Sequence, residues 1–207
     1  MLALVAKNTV SLFALVDPIG LVPLFLAACA SLSAAHARRF ALSLGVTTAV
    51  GLALAGFFGI EALALLGVSM GAMQVAGGLI ALLVASAMVL GQEQQVRQTA
   101  AESQAASARA GLVPLGIPLL VGPASLSFMM ANAHVSAPAG WLAVLMPPLI
   151  VGALTTAVFL LALRLRRHLS EVAMGVVEKL VGFLLAALSI ELIAAGLKAL
   201  FPFLTRA

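Results

Sequence analysis

The chain has 207 residues, of which 63% are hydrophobic and 9% charged, too few charges to clothe a soluble domain of that size. Its formal net charge of +4 is split among short connectors without aromatic interleaving, so it reads as membrane topology and excludes nucleic acid as a partner. With a single cysteine, Cys29, no intramolecular disulfide can form.

A spanning helix needs roughly 20 apolar residues, and the uncharged runs are read against that length. The first predicted span covers residues 9–30. Only Lys7 precedes it, and Asp17-Pro18 falls where a signal peptide would be uninterrupted, so the segment is expected to be retained. No charge occurs between Arg39 and Glu61, nor between Glu61 and Glu93, which predicts spans at 40–60 and 66–90. Residues 91–110, rich in Gln, Ala and Ser, read as a cytoplasmic linker. The uncharged run from Arg109 to Arg164 holds two spans, 112–133 and 139–163, divided by Asn132, His134, Pro138 and Gly140. A sixth span covers 180–200. The expected fold class is therefore all-α integral membrane with six transmembrane helices surrounded by lipid.

Lys and Arg near span ends are retained on the cytoplasmic side. Arg38, Arg39, Arg97, Arg109, Arg164, Arg166, Arg167 and Lys179 lie in the first, third and fifth connections, and the second and fourth have none. Both termini, with Lys7, Lys198 and Arg206, are then predicted to be external, which is periplasmic for a multi-pass protein of a bacterial inner (plasma) membrane.

Faint internal repeats are a mark of transporters. Pro18 and Pro123 lie 105 positions apart, Gly78 and Gly182 lie 104 apart, and Thr47-Thr48 and Thr155-Thr156 lie 108 apart. Residues 1–90 would form one repeat and 111–207 a second. Three spans in each force the second to enter the membrane upside down, which makes the repeats inverted.

The interruptions carry the functional argument. Proline lacks an amide hydrogen and clashes with the preceding turn, so Asp17-Pro18-Ile19-Gly20 is expected to split the first span. Asp then Pro fits the N-cap and N1 positions of a new helix, and two half-helices are expected to meet at Asp17. Gly122-Pro123-Ala124-Ser125 repeats the pattern in the fourth span, where Pro114 and Pro118 loosen the preceding segment. Irregular backbone at membrane depth is costly unless it lines a cavity. Two half-helix N-termini at the midplane suit a carboxylate, and a charged Asp17 suits an ammonium group or small cation. A zwitterionic amino acid satisfies both.

The same residues resemble a known family. "LFALVDPIGLVPLFLA" followed by "SAAHARRFAL" is similar to the first-span signature of the MarC family. "VAGGLIALLVASAMVL", "VPLGIPLLVGPASLS" and "VGFLLAALSIELIAAGL" are similar to its third-, fourth- and sixth-span signatures, in order and at compatible spacing. The resemblance implies a six-span inner-membrane protein with inverted repeats, its first and fourth spans discontinuous, and a relationship to SnatA-type transporters of small neutral amino acids such as glycine and alanine. "GPAS" places Ala124 and Ser125 where relatives often have Gly and a small or polar residue.

The candidate substrate-binding residues are Asp17, Pro18, Gly20, Gly122, Pro123, Ser125, Thr47 and Thr155. Ion coupling, by sodium or protons, is assigned to Asp17, to carbonyls near Val16 and Val121, and to Glu191, the other acidic residue within a span. Each has a structural alternative: Asp17 as a buried cap, the threonines as helix-to-helix or backbone bonds, Glu191 as an interface residue. Gln74 suits a helix-to-helix hydrogen bond, and Gly67, Gly71, Gly77 and Gly78 suit close packing. His36, His134 and His168 lack metal-ligand spacing, no catalytic cofactor is expected, and neither a phosphate loop nor a nucleophile elbow occurs. A secondary transporter of a small solute explains the pattern best, ahead of an exporter of another solute, a non-transporting structural or assembly protein, and an intramembrane enzyme. A homo-oligomer is compatible with it.

Overall fold

The computed structural model describes residues 2–30, 32–91, 120–136, 140–166 and 171–205. Most of the 91–110 linker, Pro114, Pro118, Arg97, Arg109, Arg167, His168 and Arg206 lie outside them. Among the described residues every regular element is helical: α1 (Leu2–Val16), α2 (Val22–Ala28), α3 (Ala34–Leu65), α4 (Met70–Leu90), α5 (Pro123–Ser136), α6 (Trp141–Leu165) and α7 (Glu171–Leu200), with a closing 3-10 turn at Pro202–Thr205. Four of these, α3, α4, α6 and α7, are long and apolar enough to cross a membrane.

Local chemistry explains where the helices start and stop. α3 begins at Ser33, whose hydroxyl accepts from the His36 amide at 3.4 Å, an ordinary N-cap. It ends in a turn at Gly67, φ +68°, where the Val68 amide bonds back to the Leu63 carbonyl at 3.0 Å. Only a residue without a Cβ takes that conformation at no steric cost. Ser69 caps α4 by accepting from the Ala72 amide at 3.1 Å. With 32 residues, α3 is about 48 Å long, well beyond the roughly 30 Å hydrocarbon thickness. The polar turn from Ala34 to Arg39 therefore extends past the apolar part of the span.

Glycine sets the packing of the long helices. α3 and α6 run antiparallel and cross where Gly45 and Gly152 touch: a Cβ on Gly45 would lie 2.5 Å from the Gly152 carbonyl, and one on Gly152 would lie 2.6 Å from the Gly45 carbonyl. α4 and α7 form the second antiparallel pair. There a Cβ on Gly78 would lie 2.8 Å from the Ser189 carbonyl, and one on Gly71 would lie 2.9 Å from the Gly196 carbonyl. Such backbone approaches are how helices gain van der Waals contact where lipid tails remove any hydrophobic drive to associate. α5 packs between the pairs, against α3 and α4, while α1 lies mainly along α6. Large apolar side chains such as Leu54, Phe58, Leu83, Phe183 and Leu184 are exposed on the outside, the arrangement a lipid solvent calls for.

The first interruption differs from the expected N-cap arrangement. α1 continues until the Asp17 amide bonds to the Phe13 carbonyl at 3.0 Å, and Asp17 then takes φ +47°. Asp17 thus terminates α1. The next helix starts only at Val22, with Leu21 at the cap position, no side-chain cap bond, and Pro23 rather than Pro18 in its first turn. Pro18 disfavours helical backbone at the residue before it, and Asp is one of the few residues that tolerate the left-handed region. At the second interruption Leu120 is helical, Val121 and Gly122 are not, and α5 begins at Pro123, its expected first helical position.

Candidate functional site

Asp17 is 4% exposed, and among the described residues it alone combines a side chain with a positive φ. A non-glycine residue held there costs about 1–3 kcal/mol, and such strain gathers at functional sites. Its carboxylate turns back over the following residues: Oδ1 accepts from the Gly20 amide at 3.0 Å. A Cβ on Gly20 would collide with that carboxylate, so glycine is required for the side chain to fold over. Pro18 is fully buried, and Gly20 is buried beside it.

The second interruption supplies hydroxyls rather than a carboxylate. Ser125 and Ser127 are both fully buried. Ser125 Oγ donates to the Gly122 carbonyl at 2.9 Å. Ser127 Oγ lies 2.6 Å from the Pro123 carbonyl and 2.9 Å from the Met73 carbonyl of α4, which ties the start of α5 to a neighbouring helix. Gly77 allows the approach, since a Cβ there would lie 2.5 Å from Ser127 Oγ. Pro123 itself is exposed and Gly122 half-buried.

Both interruptions belong to one interior. Val16 and Val121, the residues that flank them, sit in a single buried cluster with Leu21, Leu52, Leu120 and Val151. Each interruption is lined by a helix of the other half of the chain. Phe159 of α6 stacks on Phe25 of α2 with ring centroids 4.4 Å apart, and Thr155 lies one turn earlier on the same face of α6. On α3, Gly51 lets Val121 pack against the backbone, a Cβ there lying 3.2 Å from the valine, and Thr48 sits one turn before it.

The two threonines differ in one respect that matters. Both are fully buried, but Thr48 Oγ1 donates to the Leu44 carbonyl at 2.8 Å, whereas Thr155 Oγ1 has no hydrogen-bond partner. An unsatisfied buried hydroxyl costs about 1–3 kcal/mol. The buried pair is thus Thr48 with Thr155, 107 positions apart, like Gly45 with Gly152. Thr47, the candidate from α3, is only half-buried. Thr156 donates to the Gly152 carbonyl at 3.1 Å.

Glu191 is exposed on the outer surface of α7 and is not gathered with these groups. Ser127, Thr48 and Ser189 are buried polar residues that the sequence reading did not assign to the site. Spacing gives a faint cue only for Ser127, which lies one turn after Pro123 on a helix whose start was marked. Among the described residues no three His, Cys, Asp or Glu side chains gather, so any cation held here would rest on carbonyl and hydroxyl oxygens with Asp17.

Comparison with known proteins gives the family. The model described as "MarC family integral membrane protein" matches residues 2–201. The chain is 31% identical over 200 residues to the UPF0056 membrane protein YhcE of Escherichia coli, covering 95% of this chain and 93% of that one. It is 30% identical over 209 residues to the UPF0056 membrane protein YvbG of Bacillus subtilis, covering 99% of each. The UPF0056 membrane protein MJ1677 of Methanocaldococcus jannaschii is 27% identical over 191 residues. No solved structure matches the chain. The chain belongs to the MarC family of integral, multi-pass membrane proteins.

Proposed function

We propose that this MarC-family chain is a secondary transporter that moves small neutral amino acids, such as glycine or alanine, across the plasma membrane. The observation that carries this reading is Asp17: a strained, buried carboxylate at the interruption of an apolar segment, in the same core as a second interruption. Ionisable groups at membrane depth are costly and mark substrate or ion pathways.

The proposed chemistry divides the substrate between the two interruptions. Asp17 holds the ammonium group by a charge-assisted hydrogen bond, which is worth most where water is excluded. The first-turn amides of α5, around Ala124 and Ser125, lack intrahelical partners by construction and carry the positive end of the helix dipole toward the substrate carboxylate. Thr155 Oγ1 offers an unused hydroxyl nearby. Pro18, Gly20, Gly122, Pro123 and Ser125 shape the two turns. Thr47, half-buried beside Thr48, belongs to the wall of α3.

The reading includes six spans in two inverted repeats. Two features support it. α3 with α6 and α4 with α7 pair helices in equivalent positions of the two halves, and glycines occupy equivalent points: Gly78 packs on Ser189 as Gly182 packs on Ala85, both steps being 104 positions. Rocking of one repeat against the other would open the core alternately to each side. Arg38, Arg39, Arg164, Arg166 and Lys179 mark the cytoplasmic end, which leaves both termini external. Coupling is assigned to sodium held by carbonyls near Val16 and Val121, or to a proton on Asp17. The outward position of Glu191 makes it the weaker coupling candidate.

The test is uptake of labelled alanine into proteoliposomes under sodium and proton gradients imposed separately. Gradient-dependent, saturable uptake is expected with one of them. No uptake and no counterflow of any small amino acid would remove this reading in favour of another solute or a non-transporting role.

A further inference from the structure

A second polar feature lies away from the interruptions, at the end of the bundle where basic residues gather. A cavity of ≈ 390 Å³ opens between the end of α2, the start of α3 and the end of α6. Cys29, Leu32, Arg38, Leu163, Arg164 and Arg166 are among the residues that line it, and among the described residues no acidic side chain does. The proposed transport chemistry makes no use of it.

Its chemistry is selective. Three guanidinium groups around one concavity repel an ammonium group, so a zwitterion with no net charge gains little there. A ligand with net negative charge and several acceptor oxygens gains most, and Arg matches phosphate oxygens with paired, directional hydrogen bonds. The volume lies in the range of small-ligand sites. The first turn of α3, which includes the lining residue Ala34, adds the positive end of a long helix dipole.

Position decides between a free anion and one that is tethered. The walls other than the arginines are apolar, and Leu32, Leu161 and Leu165 stand exposed around the site on the lipid-facing outside of the bundle. A phosphate group carried on acyl chains satisfies both parts at once: head in the arginine cavity, chains along the leucines. We propose that this cavity binds the phosphodiester headgroup of an anionic phospholipid. Basic pockets between spans on the cytoplasmic side are suited to such headgroups.

The sole cysteine gives the protein its own reporter. In phosphatidylcholine nanodiscs, a negatively charged methanethiosulfonate is expected to modify Cys29 roughly tenfold faster than a positively charged one, each rate taken relative to a free thiol. Phosphatidylglycerol nanodiscs are expected to suppress the reaction. The triple variant Arg38→Gln, Arg164→Gln, Arg166→Gln is expected to lose both effects and to bind phosphatidylglycerol roughly 100-fold more weakly. Equal labelling in the two lipids overturns the proposal. Suppression by inorganic phosphate in phosphatidylcholine discs as strong as that by phosphatidylglycerol overturns the lipid source and assigns a soluble phosphate. Because three substitutions can impair insertion, and Cys29 is buried, wild-type protein released from mixed-lipid discs is also examined by native mass spectrometry. Phosphatidylglycerol retained where phosphatidylethanolamine is stripped supports the site; equal retention of both overturns it. Neither readout depends on transport, so failure of one reading leaves the other standing.

Discussion

The two interruptions begin from the same sequence device, a proline inside an apolar run, and end as different structures. At the first, Asp17 closes α1 in a left-handed conformation, its carboxylate caps the Gly20 amide, and the chain resumes as the seven-residue α2. At the second, no side chain is strained, and α5 starts directly at Pro123 as a 14-residue helix anchored to α4 through Ser127. The difference shows that one sequence device need not give one chemistry. One interruption presents a carboxyl group and the other helix amides and hydroxyls, the division on which the proposed zwitterionic ligand would draw.

Substitutions can break that division one side at a time. The largest effect is expected from Asp17→Asn. Asn tolerates the left-handed conformation and keeps an oxygen to accept from Gly20, so thermal stability should change little. Loss of the charge should lower alanine uptake on the order of 100-fold, the scale of one buried charge-assisted contact. Unchanged uptake by folded Asp17→Asn would confine Asp17 to a capping role.

Next comes the contrast between Gly20→Ala and Gly122→Ala. The first drives a methyl into the Asp17 carboxylate and should cost about 1–3 kcal/mol, the usual range for overpacking. Nothing lies within 4 Å of a Cβ added to Gly122, so there the cost should stay below about 1 kcal/mol. Thermal unfolding of both proteins in the same detergent checks the pair, and equal shifts would mean that the first turn relaxes around a methyl.

Ser127→Ala removes the contact with the Met73 carbonyl that holds α5 to α4, together with the bond to Pro123 within α5 itself. A loss of about 1–2 kcal/mol is expected, with uptake reduced because the second interruption is no longer anchored; the comparison is stability against KM for the same preparation. The smallest change in stability is expected from Thr155→Val, which swaps a partnerless hydroxyl for a methyl of similar size. Stability should hold or rise by about 1 kcal/mol while uptake falls several-fold. If uptake also holds, the hydroxyl is packing alone.

Much of the architecture was legible because membranes impose simple local rules. Uncharged stretches between Arg39 and Glu61 and between Glu61 and Glu93 marked α3 and α4, and the interruptions were visible as Asp17-Pro18 and Gly122-Pro123. Helix lengths were less legible. α3 reaches back to Ala34 through a charged turn because Ser33 provides a cap beyond the apolar run. α6 continues through Pro147 and Pro148, a pair that local propensity would have made a stop. Both prolines are fully buried in a helix held by packing against α3.

Which candidate residues would be buried was legible only in part. Asp17, Ser125 and Thr155 were singled out by type and position, and all three are buried. Which threonine of Thr47-Thr48 turns inward was not legible, because adjacent threonines carry no local signal for the face that packing against α6 buries. Glu191 shows the converse: an acid within an apolar run draws attention, but its exposure depends on which face of α7 turns toward α4.

By itself, then, the sequence determined that this is a helical membrane protein of the MarC family, where its apolar segments lie, and which backbone positions cannot continue as helix. Those properties depend on transfer energies and on proline and glycine geometry, which act within a turn or two of the residue concerned. Tertiary structure alone decided that Asp17 ends one helix instead of starting the next, that Ser127 reaches across to Met73, and that Thr155 is left without a partner while Thr48 is not. The Ser127 contact depends on how closely Gly77 lets two distant helices approach, and whether a buried threonine bonds its own helix, as Thr48 does to Leu44, depends on the side-chain rotamer that its packing selects.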